Sequence, residues 1–372
     1  MTPKKLLFLL SEDWFVCSHF LDRAVAAKAA GYDVVIVANE NKHGDQIRNQ
    51  GLRFVPLSYD RGGINIFKEL HFLYKIFRLY KVEKPDIVHQ ISAKPIFYGS
   101  FIARLLKVPA IVNAPIGLGY VFSSNEVKAK ILKPFIKFAY KLFLNRGNSK
   151  AIFENSDDLN YFVDMKALKA KDAVLIKGAG VDMQEFKPVS KSGVPTIVLI
   201  ARMLRDKGIE EFVEAAKNIL SQNGKARFLL VGGLDEVNPT SFTEQQLTEW
   251  SAIDGINWLG KRNDVSELLK QSDIACLPSY REGLPKSLIE AAASGLPIVT
   301  TDTVGCREVV EDGENGFLVP IKTVEPLAKA LMKLIENETL RQTMGEKSRK
   351  RAEQEFANEL VIEQTLKVYT SL

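Results

Sequence analysis

Short apolar runs alternate with longer amphipathic stretches along the whole chain. Between most of the apolar runs lie helical periods, such as the one over residues 18–31 that Gly31 closes. Strands that alternate with helices in this way predict a parallel sheet with helices on both faces. Seven runs in the first half and six in the second are predicted strands: KKLLFLL, DVVIVAN, RFVPLS, PDIVHQIS, AIVNAPI, KAIFEN and AVLIKGAG, then TIVLIA, ARFLLVGG, INWLG, DIACLP, PIVTTD and GFLVP.

The pattern restarts once, which predicts two domains. A chain of 372 residues also exceeds the roughly 250–300 residues at which one core stops growing. We predict an α/β protein of two doubly wound, Rossmann-like domains, residues 1–187 and 188–355, joined by a linker at Lys187–Pro195. The carboxyl ends of the two sheets are expected to face each other across a cleft, where such folds bind ligands. The last helix, about residues 356–372, is expected to return to the first domain.

Composition removes several classes of protein. Hydrophobic residues make up 46% of the chain and charged residues 26%, which is ordinary for a soluble globular protein. No apolar run reaches the ~18 residues of a membrane-spanning helix. Three separated cysteines and four histidines without ligand spacing favour neither disulfides nor a metal, so we expect no metal and no cofactor in a reducing cytoplasm.

Charge is uneven along the chain. Residues 1–187 hold 28 Lys and Arg against 18 Asp and Glu, although the whole chain has a net charge of only +5. The first domain is therefore expected to face an anionic partner.

The most informative stretch is SYREGLPKSLIEAAASGLPIVTTD, residues 279–302. Gly283 permits a tight turn, and Pro285 suits a first helical turn, so a helix is predicted to begin near Leu284 or Pro285. The start of a helix attracts phosphate, and Glu282 lies just ahead of it. Glu290 lies on the helix among alanines, where its carboxylate suits the vicinal hydroxyls of a ribose. The alternative for Glu290 alone is an ordinary solvent-exposed glutamate.

Residues 279–302, with Glu282 and Glu290, resemble the E-x7-E signature of the retaining glycosyltransferases of family four, which have the GT-B fold. The resemblance also includes ARMLRDKGIEEFVEAA at 201–216 and GCREVVEDGENGFLVP at 305–320. The resemblance covers the second half almost end to end. It implies that Arg202 and Lys207 hold the diphosphate of a nucleotide-sugar, and that Glu282 completes the catalytic set. It further implies a donor site of Gly283, Leu284, Pro285, Lys286 and Glu290, with Gly232 and Arg262 near the nucleotide.

Two missing motifs exclude other chemistry. The sequence has no D-x-D triplet for a bridging metal, so Lys and Arg must neutralise the leaving group. It also has no complete G-x-G-x-x-G, which argues against an NAD enzyme.

The first half carries the candidate acceptor site. NAPIGLGYVFSS, residues 113–124, resembles the glycine loop of the subgroup that extends lipid-linked glycans in bacterial O-antigen, capsule and protein glycosylation pathways. Gly117 and Gly119 would let backbone amides approach an acceptor diphosphate, although a purely structural turn is an equal alternative. His19 and Lys94, with His89, are predicted near strand ends on the acceptor side.

A basic amphipathic helix follows that loop. Lys130, Lys133, Lys137 and Lys141 fall three or four residues apart, with apolar and aromatic residues around them. This pattern favours an anionic membrane surface, and residues 67–84 repeat it less cleanly. The alternative is a domain helix with a solvated basic edge. No nucleic-acid-binding module is visible.

These features and the family resemblance predict a glycosyltransferase that moves a hexose or N-acetylhexosamine from a UDP-sugar to a polyprenyl-diphosphate-linked saccharide. The resemblance implies that the anomeric configuration is retained. The expected location is cytoplasmic, peripheral on the inner face of the bacterial membrane. The alternatives are an enzyme like the UDP-N-acetylglucosamine 2-epimerases, or a non-catalytic sugar-nucleotide-binding protein.

Overall fold

The computed structural model of the protein describes residues 2–59, 65–116, 127–144, 147–189, 193–222, 224–235 and 238–372. The chain forms two compact units. Unit 1 comprises Met1–Ala179 and Glu359–Leu372, and unit 2 comprises Gly180–Asn358. The division falls between Ala179 and Gly180. It therefore lies ahead of the boundary that the sequence predicts at residue 187.

Unit 1 is built on a seven-stranded sheet in the order β3-β2-β1-β4-β5-β6-β7, with every pair parallel. Each strand overlaps a segment that the sequence predicts. The strands are β1 (Lys5–Glu12), β2 (Asp33–Asn39), β3 (Arg53–Pro56), β4 (Ile87–Ile91), β5 (Ala110–Ala114), β6 (Ser149–Phe153) and β7 (Ala173–Leu175).

The described helices of unit 1 cover both faces of this sheet. They are α1 (Asp13–Phe15), α2 (Leu21–Ala29), α3 (Gly44–Asn49), α4 (Ile66–Glu83), α5 (Ser100–Leu105), α6 (Val127–Leu144) and α7 (Ser156–Asp164), with π-helical turns at Val16–Phe20 and Pro95–Gly99 and a 3₁₀ turn at Ala170–Asp172. The π-helical turns follow β1 and β4, the two strands between which the strand order reverses. A single regular helix was expected over residues 18–31, and the structure instead has a π-helical turn before α2.

Unit 2 repeats the design with a six-stranded parallel sheet in the order β10-β9-β8-β11-β12-β13. Its strands are β8 (Thr196–Ile200), β9 (Arg227–Val231), β10 (Ile256–Trp258), β11 (Ile274–Leu277), β12 (Ile298–Thr301) and β13 (Gly316–Val319). Its helices are α8 (Ile209–Ser221), α9 (Glu244–Ser251), α10 (Val265–Lys270), α11 (Lys286–Ala293), α12 (Cys306–Val309), α13 (Val324–Glu336) and α14 (Glu338–Glu355), with a 3₁₀ turn at Arg205–Lys207. The predicted α/β class with two Rossmann-like domains is confirmed.

Alternation along β1 divides the core of unit 1 into two layers. Leu6, Phe8 and Leu10 point into one layer, and Leu7 and Leu9 point into the other, all fully buried. Because both faces are covered, the strand reads as a continuous apolar run, which is why the sequence reveals it so clearly.

The chain ends in a helix, α15 (Asn358–Thr370), that packs in unit 1. Val361, Val368 and Tyr369 lie in the same core layer as Phe8. The Tyr369 hydroxyl lies 2.8 Å from Nδ1 of His89 on β4. The tail therefore completes the core of the domain in which the chain begins.

The segment just before the predicted boundary belongs with unit 2. Val181 pairs with Ala357, and the Arg349 guanidinium donates to the backbone carbonyls of Met183 and Phe186. These contacts place Gly180–Lys187 on unit 2. Among the described residues, no helix is long and apolar enough to cross a membrane.

Candidate active site

The candidate donor site lies where the strand order of the second sheet reverses. Strands β8 and β11 are neighbours in the middle of that sheet. In open parallel sheets, ligands bind beyond the carboxyl ends of two such strands. The loops that follow these strands are joined, because the Asp206 carbonyl accepts hydrogen bonds from the Ser279 hydroxyl at 3.1 Å and from the Tyr280 amide at 2.8 Å.

Lys207 and Glu282 meet at this point. The Lys207 Nζ lies 2.6 Å from the Glu282 Oε1, and each side chain is only 14% exposed. The Glu282 amide donates to the Val304 carbonyl at 3.1 Å, which ties this loop to the end of β12. A mostly buried ion pair of this kind presents a fixed cation that a more highly charged anion could attract.

Arg202 lies on the same loop and is more exposed. Its guanidinium is bound to Asp235 at 2.6 Å and is 58% exposed. The backbone beside it is fixed by Gly232, at φ +156°, because a Cβ there would lie 1.7 Å from the Ala201 carbonyl oxygen. The Trp258 indole N–H donates to the Gly232 carbonyl at 2.9 Å. The close approach of the two backbone segments beside Arg202 therefore requires a glycine at position 232.

Helix α11 begins at Lys286, one or two residues later than the predicted start at Leu284 or Pro285. Pro285 is extended, at φ −72° and ψ 110°, and supplies no side-chain cap. The first amides of a helix have no partner within it, so this terminus favours an anion. Gly305 supports the preceding turn, because a Cβ there would lie 2.5 Å from the Gly283 carbonyl oxygen. Leu284 and Pro285 are buried.

Glu290 is mostly buried and not an ordinary exposed glutamate. Its side chain is 12% exposed, and the Lys286 Nζ lies 3.6 Å from its carboxylate. Burial raises the pKa of Glu290 to about 7, and nearby Glu185 adds to this, although Lys286 opposes it. The group therefore titrates near neutral pH, which is a property of functional carboxylates more often than of surface ones.

Arg262 lies on the loop after β10. Its guanidinium forms two bonds with the Asp264 carboxylate, at 2.8 and 2.5 Å, and both groups are exposed. The structure thus places Arg262 in an ion pair at the sheet edge.

Two residues that form contacts at this site, Asp235 and Tyr280, were not identified from the sequence. Asp235 binds Arg202 from the end of β9. Tyr280 donates its hydroxyl to Glu211 on α8 at 2.6 Å, and the Lys322 Nζ lies 4.9 Å from the Tyr280 ring. Tyr280 lies inside the SYREG segment, so that motif contained the signal, whereas Asp235 has no comparable local pattern.

The acceptor-side residues lie near the reversal point of the first sheet. Lys94 follows β4, and its Nζ lies 2.7 Å from Glu69. The His19 Nδ1 lies 2.7 Å from the Ser18 hydroxyl, and its ring packs on Phe15. Gly117 and Gly119 lie outside the described residues.

The prediction that His89 lies near a strand end on the acceptor side was wrong. His89 lies within β4 and is fully buried, and its Nδ1 is paired with the Tyr369 hydroxyl. Burial, with the Arg23 charge nearby, lowers the pKa of His89 to about 3. It is a structural histidine of the core.

Helix α6 exposes aromatic side chains as well as lysines. Phe135 is 69% exposed and Phe138 67% exposed, and Lys141 is exposed beside them. The Lys137 ammonium instead lies over the Tyr161 ring at 5.2 Å, and Lys133 is half-buried. The described side chains of this helix start at Leu132, so that of Lys130 lies outside them. The outer face is therefore apolar with flanking basic groups.

Neighbouring helices of unit 1 also expose apolar side chains. Arg104 of α5 donates to the carbonyls of Leu142 and Phe143, which places α5 beside the end of α6. The large exposed apolar side chains of α4 and α5 are Ile66, Phe67, Leu70, Tyr74, Val82, Phe101 and Leu105. The part of the chain that the structure describes holds no cluster of three or more potential metal ligands.

Comparison with known proteins places both halves in one class. Residues 181–351 match the family described as Glycosyl transferases group 1, and residues 5–155 match the family described as Glycosyl transferase 4-like. The N,N'-diacetylbacillosaminyl-diphospho-undecaprenol alpha-1,3-N-acetylgalactosaminyltransferase of Campylobacter jejuni is 28% identical over 351 residues, which span 91% of this chain and 90% of that protein. The UDP-Gal:alpha-D-GlcNAc-diphosphoundecaprenol alpha-1,3-galactosyltransferase of Escherichia coli is 28% identical over 294 residues, or 74% of this chain and 73% of that protein.

A solved structure shares the fold over nearly the full length. Anabaena Alr3699/HepE, in complex with UDP and glucose, matches with a TM-score of 0.80 at 18% identity, covering 99% of this chain and 100% of that one. At this identity the likeness shows a common architecture.

Proposed function

Because the chain belongs to the group 1 glycosyltransferases of the GT-B fold, we propose that it transfers a hexose or N-acetylhexosamine from a UDP-sugar to a polyprenyl-diphosphate-linked saccharide. The proposed setting is surface polysaccharide or glycan synthesis, at the inner face of the cytoplasmic membrane. Two named relatives support the acceptor class, since each acts on a sugar joined to undecaprenol through a diphosphate.

The observation that carries the proposal is the set of charges at the reversal point of the second sheet. In the reaction, the bond between the sugar carbon and the diphosphate oxygen breaks while a bond to an acceptor hydroxyl forms. Negative charge therefore grows on the leaving diphosphate. Arg202 and Lys207 can neutralise that charge if they exchange Asp235 and Glu282 for phosphate oxygens. The start of α11 adds amides that favour the same anion.

The other donor contacts follow from the positions of the two glutamates. Glu282 lies ahead of α11 and is proposed to orient the donor sugar with the amides after Gly283. Glu290 lies further along the helix and is proposed to accept hydrogen bonds from the ribose hydroxyls. Retention of the anomeric configuration is proposed on the family resemblance.

The direct test is acceptor-dependent transfer. Thermal-shift measurements with UDP-, GDP- and ADP-sugars select the donor, because a ligand at 100 times its Kd stabilises the fold by about 2.7 kcal/mol. The selected donor is then incubated with and without a short polyprenyl-diphosphate-linked N-acetylglucosamine. We expect a glycosylated lipid only with acceptor present, with the anomeric centre retained by NMR. Conversion of the UDP-sugar alone to an epimer would instead support the epimerase alternative, and stabilisation without any conversion would support a binding protein.

Donor affinity is expected to depend on the ionisation of Glu290. Its pKa of about 7 means that the carboxylate, which can accept two ribose hydrogen bonds, forms as pH rises from about 6 to 8. The affinity for an intact UDP-sugar, measured by calorimetry, should therefore increase over this interval. In Glu290→Gln the step should disappear. An unchanged step in that variant would contradict the role of Glu290.

Membrane association is proposed through the face of α6 that carries Phe135, Phe138 and Lys141. Replacing Lys133, Lys137 and Lys141 together by Gln should weaken binding to phosphatidylglycerol vesicles, by about 1 kcal/mol for each basic residue near the surface. The matched control replaces Lys217, Lys329 and Lys347 by Gln, since these lysines are exposed and far from α6 in sequence. Equal vesicle binding by both triple variants in a flotation assay would contradict a specific membrane face.

A further inference from the structure

A cavity of about 510 Å³ opens in unit 1 beside the carboxyl ends of β1, β2 and β3. Its lining includes Glu12 at the end of β1, Asn39 at the end of β2, and Tyr59 beyond β3. The volume lies within the roughly 300–1,000 Å³ typical of small-molecule pockets. None of the candidate donor or acceptor residues described above lines it.

The polar side of the cavity is held by two amide side chains. Asn39 donates to Glu12 at 3.2 Å and to the Tyr59 carbonyl at 3.2 Å, and it accepts from the Tyr59 amide at 2.9 Å. Asn41 donates to the other oxygen of Glu12 at 2.8 Å. The orientation of the Glu12 carboxylate is therefore fixed before any ligand arrives.

Asp13 fixes the loop that brings Asn41 to the cavity. Its fully buried carboxylate accepts from the backbone amides of Trp14, Asn41 and His43 at 2.6–2.9 Å. Burial alone would raise the pKa of Asp13, but the amides of Asn41 and His43 hold it below its ordinary value. The loop is thus anchored by an ionised group, so the lining is preorganised.

The lining of the cavity also includes two aromatic rings, those of Tyr59 and Phe72. The Tyr59 ring stacks on Phe72 with centroids 4.2 Å apart and planes at 21°. Phe72 is buried and meets Tyr98 edge-on at 5.6 Å. Aromatic rings that line the same cavity as fixed carboxylate and amide groups suit a sugar ring, which has C–H bonds on its faces and hydroxyls on its edge.

The charge of the lining disfavours a diphosphate, because three glutamates outnumber the single lysine, Lys68, and the single histidine, His71. Of these glutamates, Glu40 pairs with Arg48 at 2.6 Å and Glu69 pairs with Lys94 at 2.7 Å. The cations of these pairs are already engaged with carboxylates, and the bonds to Glu12 described above come from neutral amides. A neutral or amino-substituted saccharide fits this balance, whereas an anion would be repelled.

We propose that this cavity binds a sugar ring of the acceptor glycan, next to the ring that receives the transferred sugar. The inference rests on the proposed function, because it assigns the acceptor saccharide a place in unit 1. Glu12 ends β1, one of the two strands at the reversal point of the first sheet, and the cavity extends from there toward β3. A monosaccharide acceptor would leave it empty, and a longer glycan would fill it.

The test is saccharide binding by saturation-transfer-difference NMR in the presence of UDP, with N-acetylglucosamine, galactose and N,N'-diacetylchitobiose as probes. We expect at least one probe to bind. Tyr59→Leu, which removes the stacking ring, should weaken that binding about tenfold.

A matched pair of charge-removing variants, at Glu40 and Asp45, keeps the test valid if Tyr59→Leu is unstable. Glu40 and Asp45 both bind the Arg48 Nη1, at 2.6 and 3.0 Å, but only Glu40 lines the cavity.

Glu40→Gln should weaken binding about fivefold, because a charged acceptor is lost, and Asp45→Asn should leave it unchanged. Absence of binding by all three probes, or equal affinities for Glu40→Gln and Asp45→Asn, would overturn the proposal. Glycosyl transfer is measured in the same variants. Normal transfer without a cavity effect would overturn only this inference. Saccharide binding without transfer would contradict the proposed function, and the cavity would then be a saccharide site without an acceptor role.

Discussion

Arg202→Ala and Lys207→Met are each expected to lower kcat for glycosyl transfer by about 100-fold or more. Removing one preorganised group that stabilises developing charge typically has an effect of this size. Both side chains lie beyond the carboxyl end of β8, and Lys207 is held in a mostly buried ion pair. Steady-state kinetics at saturating donor measure the effect on the chemical step, since a loss of ground-state binding alone would raise KM.

Arg205→Ala is the matched control for both variants. Arg205 lies between them in sequence, but its guanidinium pairs with Glu210 and packs over the Phe242 ring. An exposed pair of this kind contributes little to stability, so turnover should stay within a few-fold of the parent value. Near-normal kcat for Arg202→Ala and Lys207→Met would show that these cations do not stabilise the leaving group.

Arg23→Met is expected to lower the free energy of unfolding of unit 1 by about 3–5 kcal/mol, the range seen when one partner of a buried ion pair is removed. Arg23 is almost fully buried, donates to the Gly178 carbonyl, and lies in the field of buried Glu154 and Tyr369. Without the guanidinium, the Glu154 carboxylate would be buried with no compensating charge. Urea denaturation followed by circular dichroism measures the change.

The effect of Arg23→Met should also depend on pH. Burial raises the pKa of Glu154 to about 7, although Arg23 opposes this. A carboxyl group with a raised folded-state pKa contributes stability below its unfolded value, and this contribution is lost as pH rises through the folded value. The loss in Arg23→Met should therefore be larger at pH 8 than at pH 5. Arg23→Met combined with Glu154→Gln should recover part of it.

Arg48→Met is the comparison for Arg23→Met, because Arg48 forms exposed ion pairs with Glu40 and Asp45. Its loss should stay within about 1 kcal/mol. If Arg23→Met were no more destabilising than Arg48→Met at either pH, the buried cluster would not hold unit 1 together.

The sequence predicts the sheets well because their strands are buried on both faces. Runs such as Leu6–Leu10 have no polar interruption, and Gly and Pro mark the ends of helices such as α11. The two glutamates, Arg202 and Lys207 could be singled out because the segments that carry them resemble the motifs of a known family, and their roles stay predictions.

The rest depends on contacts between residues far apart in the chain. His89 was misread because its partner, Tyr369, follows it by 280 residues. The burial of Glu290 could not be seen in a helical pattern that suits either a surface or a core. The cavity of unit 1 is lined by Glu12 and by residues of β2, α4 and two loops. No local sequence pattern could therefore predict it.

A crystal structure with bound UDP would show which groups hold the diphosphate. We expect the β-phosphate to lie within hydrogen-bond distance of Arg202 and Lys207, beside the start of α11, with the ribose hydroxyls on Glu290. Asp235 and Glu282 would then have released their present partners. A nucleotide bound elsewhere on unit 2, with the Arg202–Asp235 and Lys207–Glu282 pairs intact, would contradict the account.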